Sequence, residues 1–110
     1  MATSTQQSRD TTNVLLDCVR LCLQCANECI DQQSSMKTCI KLCQICADTC
    51  ALCLKCIASG LDQTRGICSA CAEVCDACAS ECEKGQSPTM RECADACRRC
   101  AEACRQMVAA

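Results

Sequence analysis

The 110-residue chain has no histidine and no aromatic residue, with one proline and three glycines. Each absence removes a class of function. Without histidine there is no imidazole base for a nucleophile, and the carboxylates are scattered, so no catalytic constellation is visible. Without Phe, Tyr or Trp no ring can stack on a nucleobase. The 11 basic and 13 acidic side chains sum to −2 and form no basic block, which argues against nucleic acid and against an anionic membrane surface. No run approaches the roughly 20 apolar residues that cross a bilayer, so no membrane association is expected. The opening residues, MATSTQQSRD, carry neither a signal-peptide apolar stretch nor a twin arginine, and the expected location is cytoplasmic.

What the chain has instead is cysteine, 19 residues of it. A single small domain ordinarily builds its core from Leu, Ile, Val and Phe. Here cysteine must fill much of that core. Such density in a short chain usually marks a disulfide framework, but that requires an oxidising compartment, and an odd count prevents complete pairing within the chain.

The cysteines fall into four groups: Cys18, Cys22, Cys25, Cys29; Cys39, Cys43, Cys46, Cys50, Cys53, Cys56; Cys68, Cys71, Cys75, Cys78, Cys82; and Cys93, Cys97, Cys100, Cys104. Every step within a group is three or four residues, the period of one helix face. The gaps between groups carry the breakers: Asp31 to Ser35, then Gly60 with Asp62 to Gly66, then Gly85-Gln86-Ser87-Pro88. Gly60 and Gly85 suit the left-handed position after a helix. Ser87 before Pro88 reads as an N-cap and first helical residue. Ser34 or Ser35 is the expected cap of the second helix, and Asp62 or Thr64 that of the third.

The spacing predicts helices over Thr11–Asp31, Ser35–Ser59, Thr64–Lys84 and Pro88–Met107. Residues 1–10 are expected to be a flexible N-terminal segment and 11–110 one metal-binding domain. Short connections make neighbours antiparallel, so the expected fold is all-α, an up-down-up-down four-helix bundle with a cysteine-lined core. In that topology the first and third loops share one end. Met36 and Met90 each precede the first cysteine of their group by three and flank the core at that end. Leu15, Ile57, Leu61 and Ile67 are expected to plug the other, where Met107 reads as packing. Leu16, Val19, Leu23 and Ile30 form a second apolar stripe beside the cysteine face of the first helix, able to pack on a neighbouring helix or another subunit. Arg98, Arg99 and Arg105 read as cations favouring the C-terminal dipole of the last helix.

Plain packing is a poor account of these thiols, because Leu or Ile would fill the same positions better. Intrahelical disulfides fit poorly, since Cβ directions at i and i+4 are nearly parallel. Thiolate is a soft ligand suited to Cu(I), Zn(II) or iron–sulfur clusters. Zinc prefers closed sites of four thiolates, each carrying a formal −2, and several stacked in a dry core would accumulate buried charge. Cu(I) takes two or three thiolates, each able to bridge two ions, so a continuous lining near one ion per thiolate is neutral. Neutrality favours multiple Cu(I) ions and leaves a Zn(II)/Cd(II) thiolate buffer open. CxxxCxxC recurs at Cys18-Cys22-Cys25, Cys39-Cys43-Cys46 and Cys93-Cys97-Cys100, but as a by-product of helical spacing, and no terminal Cys-Pro of ferredoxin type follows. A thiol redox sensor would need one distinguished pair, and the spacing singles none out. A purely structural oligomer would tolerate loss of its thiols.

The inward CxxxC and CxxC runs resemble the bacterial copper storage proteins. The likeness is strongest in Cys71-Ala-Glu-Val-Cys75-Asp-Ala-Cys78 and in Glu92-Cys93-Ala-Asp-Ala-Cys97-Arg-Arg-Cys100-Ala-Glu-Ala-Cys104-Arg, and it extends over most of the chain after about residue ten. The absence of a leader resembles the cytosolic branch. The resemblance implies a homotetramer of four-helix bundles filled with Cu(I) on cysteine, for storage rather than catalysis. One departure stands out. Relatives of the cytosolic type often carry histidine near the turn before the last helix, where this chain has Gly85-Gln86-Ser87-Pro88-Thr89-Met90. Intake would then use Met36, Met90 or the outermost Cys29, Cys39, Cys82 and Cys93. The pattern names no copper chaperone or efflux partner.

Overall fold

The computed structural model describes residues 5–31 and 36–109. They form α1 (Thr5–Asp31), α2 (Lys37–Ser59), α3 (Thr64–Cys82) and α4 (Pro88–Ala109). Each helix touches both of its neighbours around a square. Among the described residues the diagonal pairs, α1 with α3 and α2 with α4, make no close backbone contact. The result is an antiparallel bundle 46 Å long with a cross-section of 19 × 17 Å. The core side chains are short. Beside the cysteines, the buried residues are chiefly alanines, among them Ala26, Ala47, Ala72, Ala79, Ala94 and Ala101. Small residues let helices approach closely, so a narrow bundle can still close over a thiol-lined axis.

The helix ends correct several expectations. α1 begins at Thr5, ahead of the expected Thr11. Gln6 Nε2 donates to Asp10 Oδ1 one turn on, at 2.9 Å, a pairing that supports a polar helix end. α3 stops at Cys82, short of Lys84, and α4 continues to Ala109. Ser34 and Ser35 lie outside the described residues, and Met36 occupies the N-cap position of α2 without a side-chain cap. The N-cap of α3 is Gln63, not Asp62 or Thr64. Thr64 is the first helical residue, and its Oγ1 donates to the Cys56 carbonyl at 3.0 Å, tying the start of α3 to the end of α2. Ser87 caps α4 as expected: its Oγ accepts the Met90 N–H at 3.1 Å. Gly60 has the expected left-handed backbone, φ 66°, and donates to the Cys56 carbonyl. Gly85 does not take a positive φ. α3 ends instead through Glu83 in a right-handed conformation.

α2 is the helix that comes nearest to an apolar run of membrane-spanning length. At 23 residues and a mean hydropathy of 1.4 in its most apolar stretch, it is long and apolar enough on composition alone to cross a bilayer. Six of its residues are cysteines, and all six are buried inside the bundle.

Leu16, Leu23 and Ile30 of the α1 stripe are about half exposed, whereas Val19 packs against the core. Ile45 and Leu52 on α2 are exposed to the same degree. Arg98, Arg99 and Arg105 do not serve the C-terminal dipole, because the last turn of α4 holds no basic residue. They clamp helices together. Arg98 bridges Asp76 and Glu83 at 3.1 and 2.9 Å, Arg105 pairs with Asp76, and Arg99 reaches Asp17 on α1 at 3.5 Å.

Candidate metal centre

All 19 cysteines carry free thiols, and all are buried; only Cys56 is as much as 8% exposed. The three-four spacing turns each group to the axis, and four such faces meet there. The resulting sulfur contacts run between helices as well as along them. Cys39 stands 3.7 Å from Cys82, Cys43 3.7 Å from Cys78, and Cys22 3.7 Å from Cys97. Further along, Cys46 is 3.6 Å from Cys75, Cys50 is 3.7 Å from both Cys71 and Cys100, and Cys53 is 3.2 Å from Cys68.

These contacts build sets of four sulfurs lying within 4.8 Å of one another. Five of these sets follow in order from the end shared by the first and third loops: Cys25, Cys39, Cys43, Cys82; Cys43, Cys78, Cys82, Cys93; Cys22, Cys78, Cys93, Cys97; Cys18, Cys22, Cys46, Cys97; and Cys18, Cys46, Cys50, Cys75. Each set shares two sulfurs with the next. A column of this kind is not a string of closed four-thiolate sites, because isolated tetrahedral sites would share no ligand. It suits an ion of low charge and low coordination number whose thiolates bridge. Cys71 and Cys100 continue the column from Cys50, and Cys104 stands among Cys100, Cys53, Cys68 and Cys71. Cys29 adjoins Cys39 at the other extreme. Cys56 lies at the far end of α2, where its carbonyl takes the hydrogen bonds from Gly60 and Thr64.

The buried thiols perturb one another's protonation. Cys18 is held below the usual thiol range by surrounding thiols, Cys100 foremost, then Cys22 and Cys46. Cys22 is correspondingly pushed up, with Cys18 foremost, then Cys43 and Cys46. Cys29 is pushed up by burial first and by the charge of Cys39 second. Burial disfavours free thiolates throughout, so an arriving cation is needed to displace protons without leaving net charge in the core.

The two mouths differ. Met90 is buried and Met36 half-buried, and both pack against the thiol cluster at the end of the first and third loops. At the opposite end Leu15 is fully buried, Met107 is buried, and Ile57 and Ile67 pack against the core. Leu61 is no part of that plug; it sits in the connection after Gly60 and is more than half exposed. The role of Gly85 was missed by its spacing. A Cβ on Gly85 would lie 2.1 Å from Met90 Sδ, so the glycine leaves room for a thioether.

Fold and site together define a class: helical bundles that hold soft metal ions on a shared thiolate lining. The chain belongs to the copper storage protein family, whose profile matches residues 4–109. Among solved structures it is similar to the Cu(I)-bound copper storage protein BsCsp3, at 35% identity and a TM-score of 0.88, covering 93% of this chain and 98% of that one. It is equally similar to apo copper storage protein 3 from Bacillus subtilis, at 37% identity, a TM-score of 0.89, and coverage of 92% and 98%. A protein from Nitrosospira multiformis matches at 35% identity with a TM-score of 0.86, over 96% of this chain and 98% of that one. Comparison with curated protein sequences finds no match.

Proposed function

We propose that this chain is a cytosolic copper(I) reservoir. The observation that carries the reading is the ladder of thiol quartets, each sharing two sulfurs with the next. All 19 cysteines serve as ligands in this reading, with Met36 and Met90 receiving ions at the mouth. An ion arriving there displaces thiol protons and moves inward by exchange between bridging thiolates. Every step keeps the core close to neutral, because a proton leaves for each thiolate that forms. Acidification opposes loading for the same reason. The role is storage, with no chemical conversion of a substrate.

The working form is a homotetramer. Leu16, Leu23 and Ile30 on α1, together with Ile45 and Leu52 on α2, leave large apolar side chains exposed on two helices, more than a monomer needs to leave in water. The deciding experiment is anaerobic titration of the reduced protein with Cu(I), with metal and protein quantified after gel filtration. Retention of well over about ten ions per chain, beyond what closed four-thiolate sites could hold, is the expected result. Saturation at about four to six ions, with Zn(II) competing equally, would replace this reading by a zinc-type thiolate buffer.

A further inference from the structure

We infer that Gly85 is a positioning residue for copper intake: its missing side chain seats the Met90 thioether at the mouth of the thiol column. The inference rests on the reading of that mouth as the route of loading. It begins from the contrast between two glycines that both follow a helix. Gly60 takes φ 66°, a conformation that itself favours glycine, and a Cβ there would meet nothing within 4 Å. Gly85 has no positive φ, and its N–H donates to the Cys82 carbonyl at 3.1 Å as that of any residue but proline could. Its backbone therefore gives no reason for glycine. Its surroundings do. The three nearest atoms to an added Cβ all belong to Met90: Sδ at 2.1 Å, Cε at 2.4 Å and Cγ at 3.4 Å.

Met90 is thus held from two sides. Its N–H is fixed by the Ser87 Oγ at 3.1 Å, and that hydroxyl reaches Glu28 Oε2 on α1 at 3.5 Å. Its thioether fills the space above Gly85, only 4% of the residue is exposed, and it belongs to the same buried cluster as Cys29, Cys39, Cys82 and Cys93. Methionine has three rotatable bonds and adapts to irregular gaps, so a thioether in one place must be kept there by its neighbours. A neutral soft sulfur needs to lose no proton to take Cu(I), and it surrenders the ion readily to thiolates behind it. With no histidine in the chain, a seated thioether supplies the neutral first ligand.

The test is stopped-flow loading of the reduced apoprotein from a bicinchoninate Cu(I) complex, in wild type, G85A, M90L and G85A/M90L. An alanine at 85 meets the far end of a flexible side chain, so the fold accommodates it and the apo melting temperature and final capacity stay close to wild type. Loading slows on the order of three- to tenfold in G85A, as expected when the thioether is driven off its rotamer. M90L slows loading at least as much, and G85A adds nothing in the M90L background. Wild-type loading by G85A alongside slow M90L overturns the role of Gly85 and leaves the intake reading standing. Equal slowing by G85A in both backgrounds also overturns it, because the loop would then act without Met90. Wild-type loading by M90L removes the intake reading itself and the inference with it.

Discussion

The two ends of the bundle solve different problems with similar materials. At the end of the first and third loops, sulfur continues to the rim: Cys29, Cys39, Cys82 and Cys93 are followed by Met36 and Met90. At the other end Cys56 and Cys68 still reach the last turn of α2 and the first turns of α3, but α1 does not follow them. α1 contributes no cysteine beyond Cys18, and Leu15 fills the next inward position. Ile57, Ile67 and Met107 complete the closure, and the turn between α2 and α3 is tied by two hydrogen bonds to one carbonyl, that of Cys56. The contrast teaches that a core of thiols, which packs less apolar volume than leucine would, can be anchored at one end by conventional burial while soft sulfur side chains carry on to the other.

Removing the metal should break the contrast most strongly. Ions that bind only the folded state stabilise it by about 2.7 kcal/mol per site at a hundredfold excess over Kd. With several sites filled, stripping Cu(I) is expected to lower the melting temperature by roughly 20 °C or more. Hydrogen exchange followed by mass spectrometry resolves where the loss falls. Peptides covering residues 25–31, 37–43 and 80–95 should lose the most protection, and those covering 11–16, 54–58 and 64–68 the least. Uniform loss along the helices would mean that the apolar end holds no stability of its own.

Leu15→Ala attacks the apolar end directly. The side chain is fully buried, and its truncation leaves a cavity worth about 2–5 kcal/mol. Urea unfolding of the apoprotein should register that loss, while loading rate and capacity stay at the wild-type level. A fall in capacity would show that the last thiols, Cys53, Cys68 and Cys104, depend on Leu15 for their positions.

Much of this division is legible in the sequence, and the reason is periodicity. Steps of three and four residues leave no other way to arrange Cys39 through Cys56 than one helix face, and Ser87-Pro88 marks a helix start with the geometry the structure has. Four things were not legible. The order of the quartets depends on how four faces interdigitate, so no single group reveals that Cys18 belongs with Cys46, Cys50 and Cys75. Leu61 looks like core by composition, yet it follows the left-handed Gly60 and turns outward. Gly85 is ambiguous in principle, since glycine after a helix answers equally to a positive φ and to a need for space, and only coordinates separate the two. The partners of the α4 arginines were hidden for a related reason: Asp76 and Asp17 lie on other helices, and Glu83 lies just past the end of α3.

The finest separation of the two ends comes from a matched pair of hydroxyls. Ser87 at the mouth caps α4 through the Met90 N–H, and Thr64 at the closed end donates to the Cys56 carbonyl. Ser87→Ala removes an N-cap, a loss of about 1 kcal/mol. Thr64→Val removes one partly buried hydrogen bond at nearly constant shape, also about 1 kcal/mol. Thermal unfolding of the apoproteins should therefore rank the two variants together. Copper loading should not, because only Ser87 fixes the backbone from which the Met90 thioether extends. Slower uptake by Ser87→Ala at equal stability, with Thr64→Val loading like wild type, would locate the kinetic control at the thioether end. Equal uptake by both would reduce the difference between the ends to packing alone.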